Sequence, residues 1–132
     1  MVLLKKLFGA EKEPEVAFFQ VTDENFAGEV LKASNPVMLF IWSGTCPHCK
    51  KMLPNVKTVG NRYAQSLKSA HTNMEMAPRA LASLNIRGVP AVLFFHQGKV
   101  VEHVAGFRPE SYLDELVQAH FVSHSEHPET AL

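Results

Sequence analysis

The run VMLFIW at residues 37–42 is apolar without interruption. It is too short for a core helix and has the make-up of a strand covered on both faces. Such a strand needs layers above and below its sheet, and a chain of 132 residues has room for one domain of that kind with a hydrophobic core.

The segments around this run alternate between strand and helix patterns. VAFFQV at 16–21 is a short β-rich stretch, and Thr22 offers an N-cap to a helix in which Phe26, Val30 and Leu31 recur at helical spacing. After the central run, Pro47 suits the first turn of a long helix. Its apolar stripe is Cys49, Met52, Leu53, Val56, Val59, Tyr63 and Leu67. Pro54 lies inside that helix, removes a bond to the Lys50 carbonyl and predicts a kink. LKSAHTNM at 67–74 shows little apolar alternation and is a weak strand, and PRALASL is a short helix by propensity. AVLFFH and KVVEHV flank Gln97-Gly98 as a hairpin. Pro109 then opens a helix with Tyr112, Leu113, Leu116, Val117 and Phe121 on one face. The predicted order is βαβαβαββα, a central mixed sheet flanked by helices on both faces in a single α/β domain.

Residues 1–15 read as an N-terminal segment and linker, 16–122 as the domain, and 123–132 as a disordered tail. Lys5 and Lys6 interrupt the first apolar residues before they reach the ~7 needed by a signal sequence, so the expected location is the cytoplasm. No window approaches the ~20 apolar residues of a spanning helix, and no membrane association is expected. Lys plus Arg (13) balances Asp plus Glu (13), which gives no electrostatic case for nucleic acid.

The chain's two cysteines stand in TCPHC, Cys46 and Cys49, between the buried strand and the long helix. Three roles are open to such a pair: a redox couple, half of a metal site, or packing. A tetrahedral zinc site needs four ligands and C-x-x-C supplies two. His48 cannot easily join them from the same turn, which leaves His71, His96 and His103 on strands of unfixed direction. The redox reading is favoured by position. Free N–H groups and the helix dipole stabilise a thiolate at the helix start, making Cys46 the candidate nucleophile and Cys49, one turn later, the resolving thiol. A protonated His48 adds positive charge beside Cys46, which stabilises the dithiol and makes the pair more oxidising.

Residues 37 to about 121 resemble thioredoxin in order and spacing. Trp42, C-x-x-C-K at 46–50, Pro54, I-R-G-V-P at 86–90, F-x-x-G at 95–98 and Gly106 carry the resemblance together. It implies the thioredoxin fold and a redox-active Cys46–Cys49 disulfide without cofactor or metal. It also implies a cis-proline at Pro90 facing the dithiol, with Val89 and Gly106 lining a groove for a substrate peptide. Trp42 and Thr45 would border the same site, with Trp42 chiefly a packing residue. The sequence departs from thioredoxin in its Pro-His spacer, which is similar to that of periplasmic disulfide-forming oxidases, and in Thr45, where thioredoxins carry tryptophan. Phe40 and His71 stand at the places of a buried Asp and its Lys partner, so His71, His48 or water would take the Cys49 proton. The implied function is a monomeric protein-disulfide reductase whose partners are protein disulfides and a disulfide reductase. The alternatives are a more oxidising oxidase or isomerase and a non-catalytic binding module.

Overall fold

The computed structural model describes residues 18–122. The expectations for residues 1–15 and for the tail from Ser123 therefore fall outside the described residues.

The elements follow the predicted order: β1 (Phe19–Gln20), α1 (Ala27–Leu31), β2 (Val37–Ile41), α2 (Pro47–Arg62), β3 (Lys68–Thr72), α3 (Pro78–Ser83), β4 (Ala91–His96), β5 (Lys99–Ala105) and α4 (Glu110–His120). The strands form one five-stranded sheet in the order β1-β3-β2-β4-β5. β3 runs parallel to both β1 and β2, whereas β4 is antiparallel to β2 and to β5.

β2 is buried along its length because its alternating side chains enter two different cores. Val37, Leu39 and Ile41 pack with Val30, Leu81, Leu93 and Phe95 on one face. Met38 and Phe40 pack with Met52, Val56, Val59, Phe94, Leu113 and Val117 on the other. The strand period of two, applied to an unbroken apolar run, produces this division.

Several local predictions change. The first helix is a single wide turn, closed by the Lys32 N–H on the Ala27 carbonyl at 2.9 Å, an i→i+5 bond. Thr22 does cap the approach to it: the Asn25 N–H donates to Thr22 Oγ1 (3.3 Å) while the Thr22 N–H donates to Asn25 Oδ1 (2.8 Å). α2 ends at Arg62, so Leu67 is buried at the entry to β3 instead of extending the helical stripe. Tyr112 leaves the predicted apolar face of α4; it is 42 % exposed and lies under the Arg108 guanidinium.

The weak strand at 67–74 is the middle partner of β1 and β2. Three of its polar side chains find partners from distant parts of the chain, while the buried Ser69 hydroxyl has none. Lys68 Nζ reaches Glu29 Oε1 (2.6 Å), Thr72 Oγ1 donates to the Val21 carbonyl (2.7 Å), and His71 accepts from Trp42. The Gln97-Gly98 turn has positive φ at both residues, as a two-residue hairpin requires, and a side chain at Gly98 would meet the Leu31 carbonyl at 3.1 Å.

α2 and α4 are fastened by a polar cluster. Arg62 donates to Asp114 Oδ1 (2.8 Å) and Glu110 Oε2 (2.6 Å), and the Tyr63 hydroxyl donates to Asp114 Oδ1 (2.8 Å). Burial of the Asp114 carboxyl opposes its ionisation, but the hydrogen bonds from Arg62 and Tyr63 outweigh this and hold it below its ordinary 3.8. A carboxylate with a depressed folded pKa stabilises fully above the unfolded value and loses that contribution as pH falls through the folded one. Asp114→Asn is therefore expected to lower stability by about 0.5–1 kcal/mol near pH 7. In urea denaturation the difference from wild type should narrow as pH drops below 3.8.

Candidate active site

Cys46 is the N-cap of α2 and Cys49 sits in its first turn. The buried β2 strand, central in the sheet, ends five residues before Cys46, so α2 starts beyond the C-terminal end of that strand. The two cysteines are joined as a disulfide with their Cα atoms 5.2 Å apart. Their surroundings differ. Cys46 is partly exposed, whereas Cys49 is 4 % exposed and belongs to the core between the sheet and α2. The Cys49 N–H donates to Cys46 Sγ at 3.1 Å, so a first-turn backbone donor is spent on the outer sulfur. Pro47 at the first helical position has no N–H to offer, and His48 follows it, exposed.

The loop before α2 is shaped by its own hydroxyls: the Thr45 N–H donates to Ser43 Oγ at 3.2 Å, and the two side-chain oxygens are 3.2 Å apart. Thr45 is exposed beside the disulfide.

The Val89–Pro90 peptide is cis. Antiparallel pairing sets Ile41 opposite Ala91, which brings Pro90 to the end of the sheet from which the cysteine loop leaves. Val89 packs against the same core as Cys46, Cys49 and Trp42. The Gly106 N–H donates to the Pro90 carbonyl (2.9 Å), and Gly106 holds a φ of +83° that an L side chain would strain. α2 fastens this loop as well: Asn55 Nδ2 donates to the Arg108 carbonyl (2.9 Å), and the Arg108 N–H to Met52 Sδ (3.5 Å). The sequence pattern gave no sign of Asn55, because its partner lies 53 residues away.

Five of the eight predicted site residues line two cavities, and Cys46, His48 and Thr45 line neither. Val89, Pro90 and Gly106 line a cavity of about 260 Å³. Trp42 and Cys49 line a second one of about 510 Å³, together with Phe18, Phe40, Leu53 and His71. Phe18 and Leu53 went unrecognised in the sequence because they meet His71 and Trp42 only through the fold.

His71 is paired across the strands with Phe40. Trp42 Nε1 donates to His71 Nδ1 at 3.0 Å. An indole N–H can only donate, so the Nδ1 lone pair is occupied and the proton of neutral His71 lies on Nε2. Burial pushes the His71 imidazole down from its ordinary value, which favours this neutral form. Neutral His71 consequently has no lone pair for a Cys49 proton unless the Trp42 bond breaks. Among the described residues no group of three or more His, Cys, Asp or Glu side chains is placed to hold a metal ion. No described helix is long and apolar enough to cross a membrane.

The thioredoxin family profile matches residues 17–119. Thioredoxin C-2 of Corynebacterium nephridii is 37 % identical over 96 residues, covering 73 % of this chain and 89 % of that protein. Thioredoxin 1 of a Nostoc species is 30 % identical over 101 residues, covering 76 % and 94 %, and the thioredoxin of Porphyra purpurea is 32 % identical over 98 residues, covering 74 % and 92 %. With a paired Cys46 and Cys49 between β2 and α2 of a five-stranded mixed sheet, the chain belongs to the thioredoxin family of thiol-disulfide oxidoreductases.

Proposed function

We propose that this protein reduces disulfides in protein substrates, with Cys46 as nucleophile and Cys49 as resolving thiol. The observation that carries the reading is the asymmetry of the pair: an outer sulfur at a helix N-cap that accepts a backbone N–H, and an inner sulfur buried one turn later. The same donor stabilises negative charge on Cys46 once the pair is reduced. In the reaction, the Cys46 thiolate attacks one sulfur of a substrate disulfide, breaking that bond and forming a mixed disulfide. The first substrate sulfur leaves as a thiolate and takes a proton from solvent. Cys49 gives up its proton and attacks Cys46 Sγ, releasing the second substrate thiol and forming the Cys46–Cys49 disulfide. Two electrons have passed to the substrate, and a reductase must return them. Val89, Pro90 and Gly106 form the peptide groove in this reading, bordered by Trp42 and Thr45. The occupied Nδ1 of His71 favours water as acceptor of the Cys49 proton. A cytoplasmic setting supplies the reducing poise that drives the cycle in this direction.

In the insulin assay with dithiothreitol the protein should accelerate disulfide reduction. Cys46→Ser should return the rate to the uncatalysed one, and Cys49→Ser should accumulate a mixed disulfide with insulin. Equal rates with and without the protein would mean that the fold serves binding only.

The Pro-His spacer supports a second reading, a more oxidising couple. A protonated imidazole at this position would stabilise the reduced form, so in this reading His48→Ala makes the Cys46–Cys49 couple more reducing by about 30 mV, or about 1.4 kcal/mol. Equilibration with glutathione measures this. A wild-type potential near ~−270 mV supports the reductase, and one near ~−120 mV makes the protein an oxidase.

His71→Asn tests the proton route. The pH midpoint of dithiol exchange, followed from about pH 5 to about pH 9, should stay where it is in wild type. Stability should respond instead. The folded His71 pKa is lowered, so the unfolded chain takes up the proton first, and wild type loses stability as pH falls below 6.5 towards the folded value. Denaturation midpoints of His71→Asn should lack that slope, and a shifted exchange midpoint would restore His71 as the base.

A further inference from the structure

We propose that residues 2–8 of this chain, VLLKKLF, dock in the cavity behind Cys49. The cavity measures about 510 Å³ and its walls include Phe18, Phe40, Trp42 and Leu53, with Cys49 also facing it. Apolar side chains that enter it leave water, which is the gain that holds an occupant there. One group in the wall asks for more than an apolar body. Trp42 Nε1 is spent on His71 Nδ1, and the Nε2–H of neutral His71 has no partner among the described residues. A peptide meets both demands, because it brings backbone carbonyl acceptors together with its side chains.

Connectivity names the peptide. Phe18 is the first described residue and stands in the cavity wall, so the chain that precedes it is attached at the site itself. Leu3, Leu4, Leu7 and Phe8 recur at helical spacing. A helical turn over them gathers four apolar side chains on one face and turns Lys5 and Lys6 away from it. The last carbonyls of such a turn have no partner within it, which suits the His71 donor. Residues 9–17 connect this segment to Phe18, and a stretch of that length spans at most about 30 Å. Attachment through so short a connection sets an effective concentration on the order of millimolar, so a contact of modest intrinsic affinity is occupied and a free ligand must compete with it.

Occupancy bears on the dithiol because Cys49 lines the same space. A docked segment keeps water from the inner sulfur and disfavours its thiolate, slowing the resolving attack on Cys46. This consequence rests on the proposed exchange reaction, whereas the docking does not.

The test follows the emission of Trp42, the only tryptophan in the chain and part of the cavity wall, in the oxidised full-length protein. In the double variant Leu4→Asp/Phe8→Asp the emission should shift to longer wavelength, and acrylamide should quench it more strongly than in wild type. A synthetic peptide of residues 1–10 should restore the wild-type emission of this variant with saturable one-to-one binding. It should bind wild type about tenfold more weakly, because the chain's own segment competes. Identical emission and quenching in variant and wild type overturn the proposal, as does equal affinity of the peptide for the two proteins. A peptide carrying the same two substitutions should not bind, and equal binding by it overturns the proposal as well. An emission difference that disappears on dilution of the protein assigns the cavity to a second copy and also overturns it. Because the readouts are emission and binding, failure of the exchange assay and failure of this proposal are separate outcomes.

Discussion

The burial of β2 on both faces and along both edges is the constraint on which the molecule depends. Its backbone is paired with β3 on one side and β4 on the other, and its side chains enter two separate cores. A strand held in this way has one available register, because a slip by one residue would exchange the two sets of side chains. Ile41 is consequently fixed opposite both Thr72 and Ala91. The first pairing puts His71 and Trp42 side by side, and the second brings Pro90 towards the cysteine loop. The chemistry is assembled by the register of a strand that carries none of it.

α2 converts that fixed strand end into a difference between two sulfurs. The N-cap position leaves Cys46 partly open and within reach of the Cys49 N–H. The apolar stripe that docks the helix draws Cys49 into the core with Met52 and Val56. Both effects follow from a helix that starts at Pro47 and is amphipathic, so the spacing of the pair already carries its difference in exposure. The same helix holds the Gly106 loop through Asn55 and Met52 and is itself held to α4 through Arg62 and Tyr63. A disturbance of its orientation would reach the disulfide and the Pro90 surface together.

Most of the element order was legible because apolar periodicity survives wherever a segment is amphipathic or fully buried, as in β2, β4, α2 and α4. It failed where polar side chains are satisfied by distant partners. β3 looked weak because Lys68, His71 and Thr72 read as surface residues, yet each finds a partner in α1 or in the residue just after β1 or β2 that no local window contains. Leu67 continued the helical spacing of α2 by coincidence of phase, and the turn after Arg62 ended that continuity. At the site, Cys46, Cys49 and Pro90 were readable from short motifs. The cavity was not, because it joins residues 18, 40, 53 and 71, brought together only by the sheet and α2.

The pairing of Phe40 with His71 has a further physical consequence. An ionisable wall would keep water and charge beside the inner sulfur; here phenylalanine closes it and the imidazole is turned to the indole. Each partner supports the other. The Trp42 N–H needs an acceptor in an apolar setting, and the buried ring favours the neutral tautomer that provides one. Protonation of His71 would remove the acceptor, place a cation among Phe18, Phe40 and Trp42, and cost more than either effect alone because the two are coupled. The apolar character around Cys49 is thus maintained by a hydrogen bond.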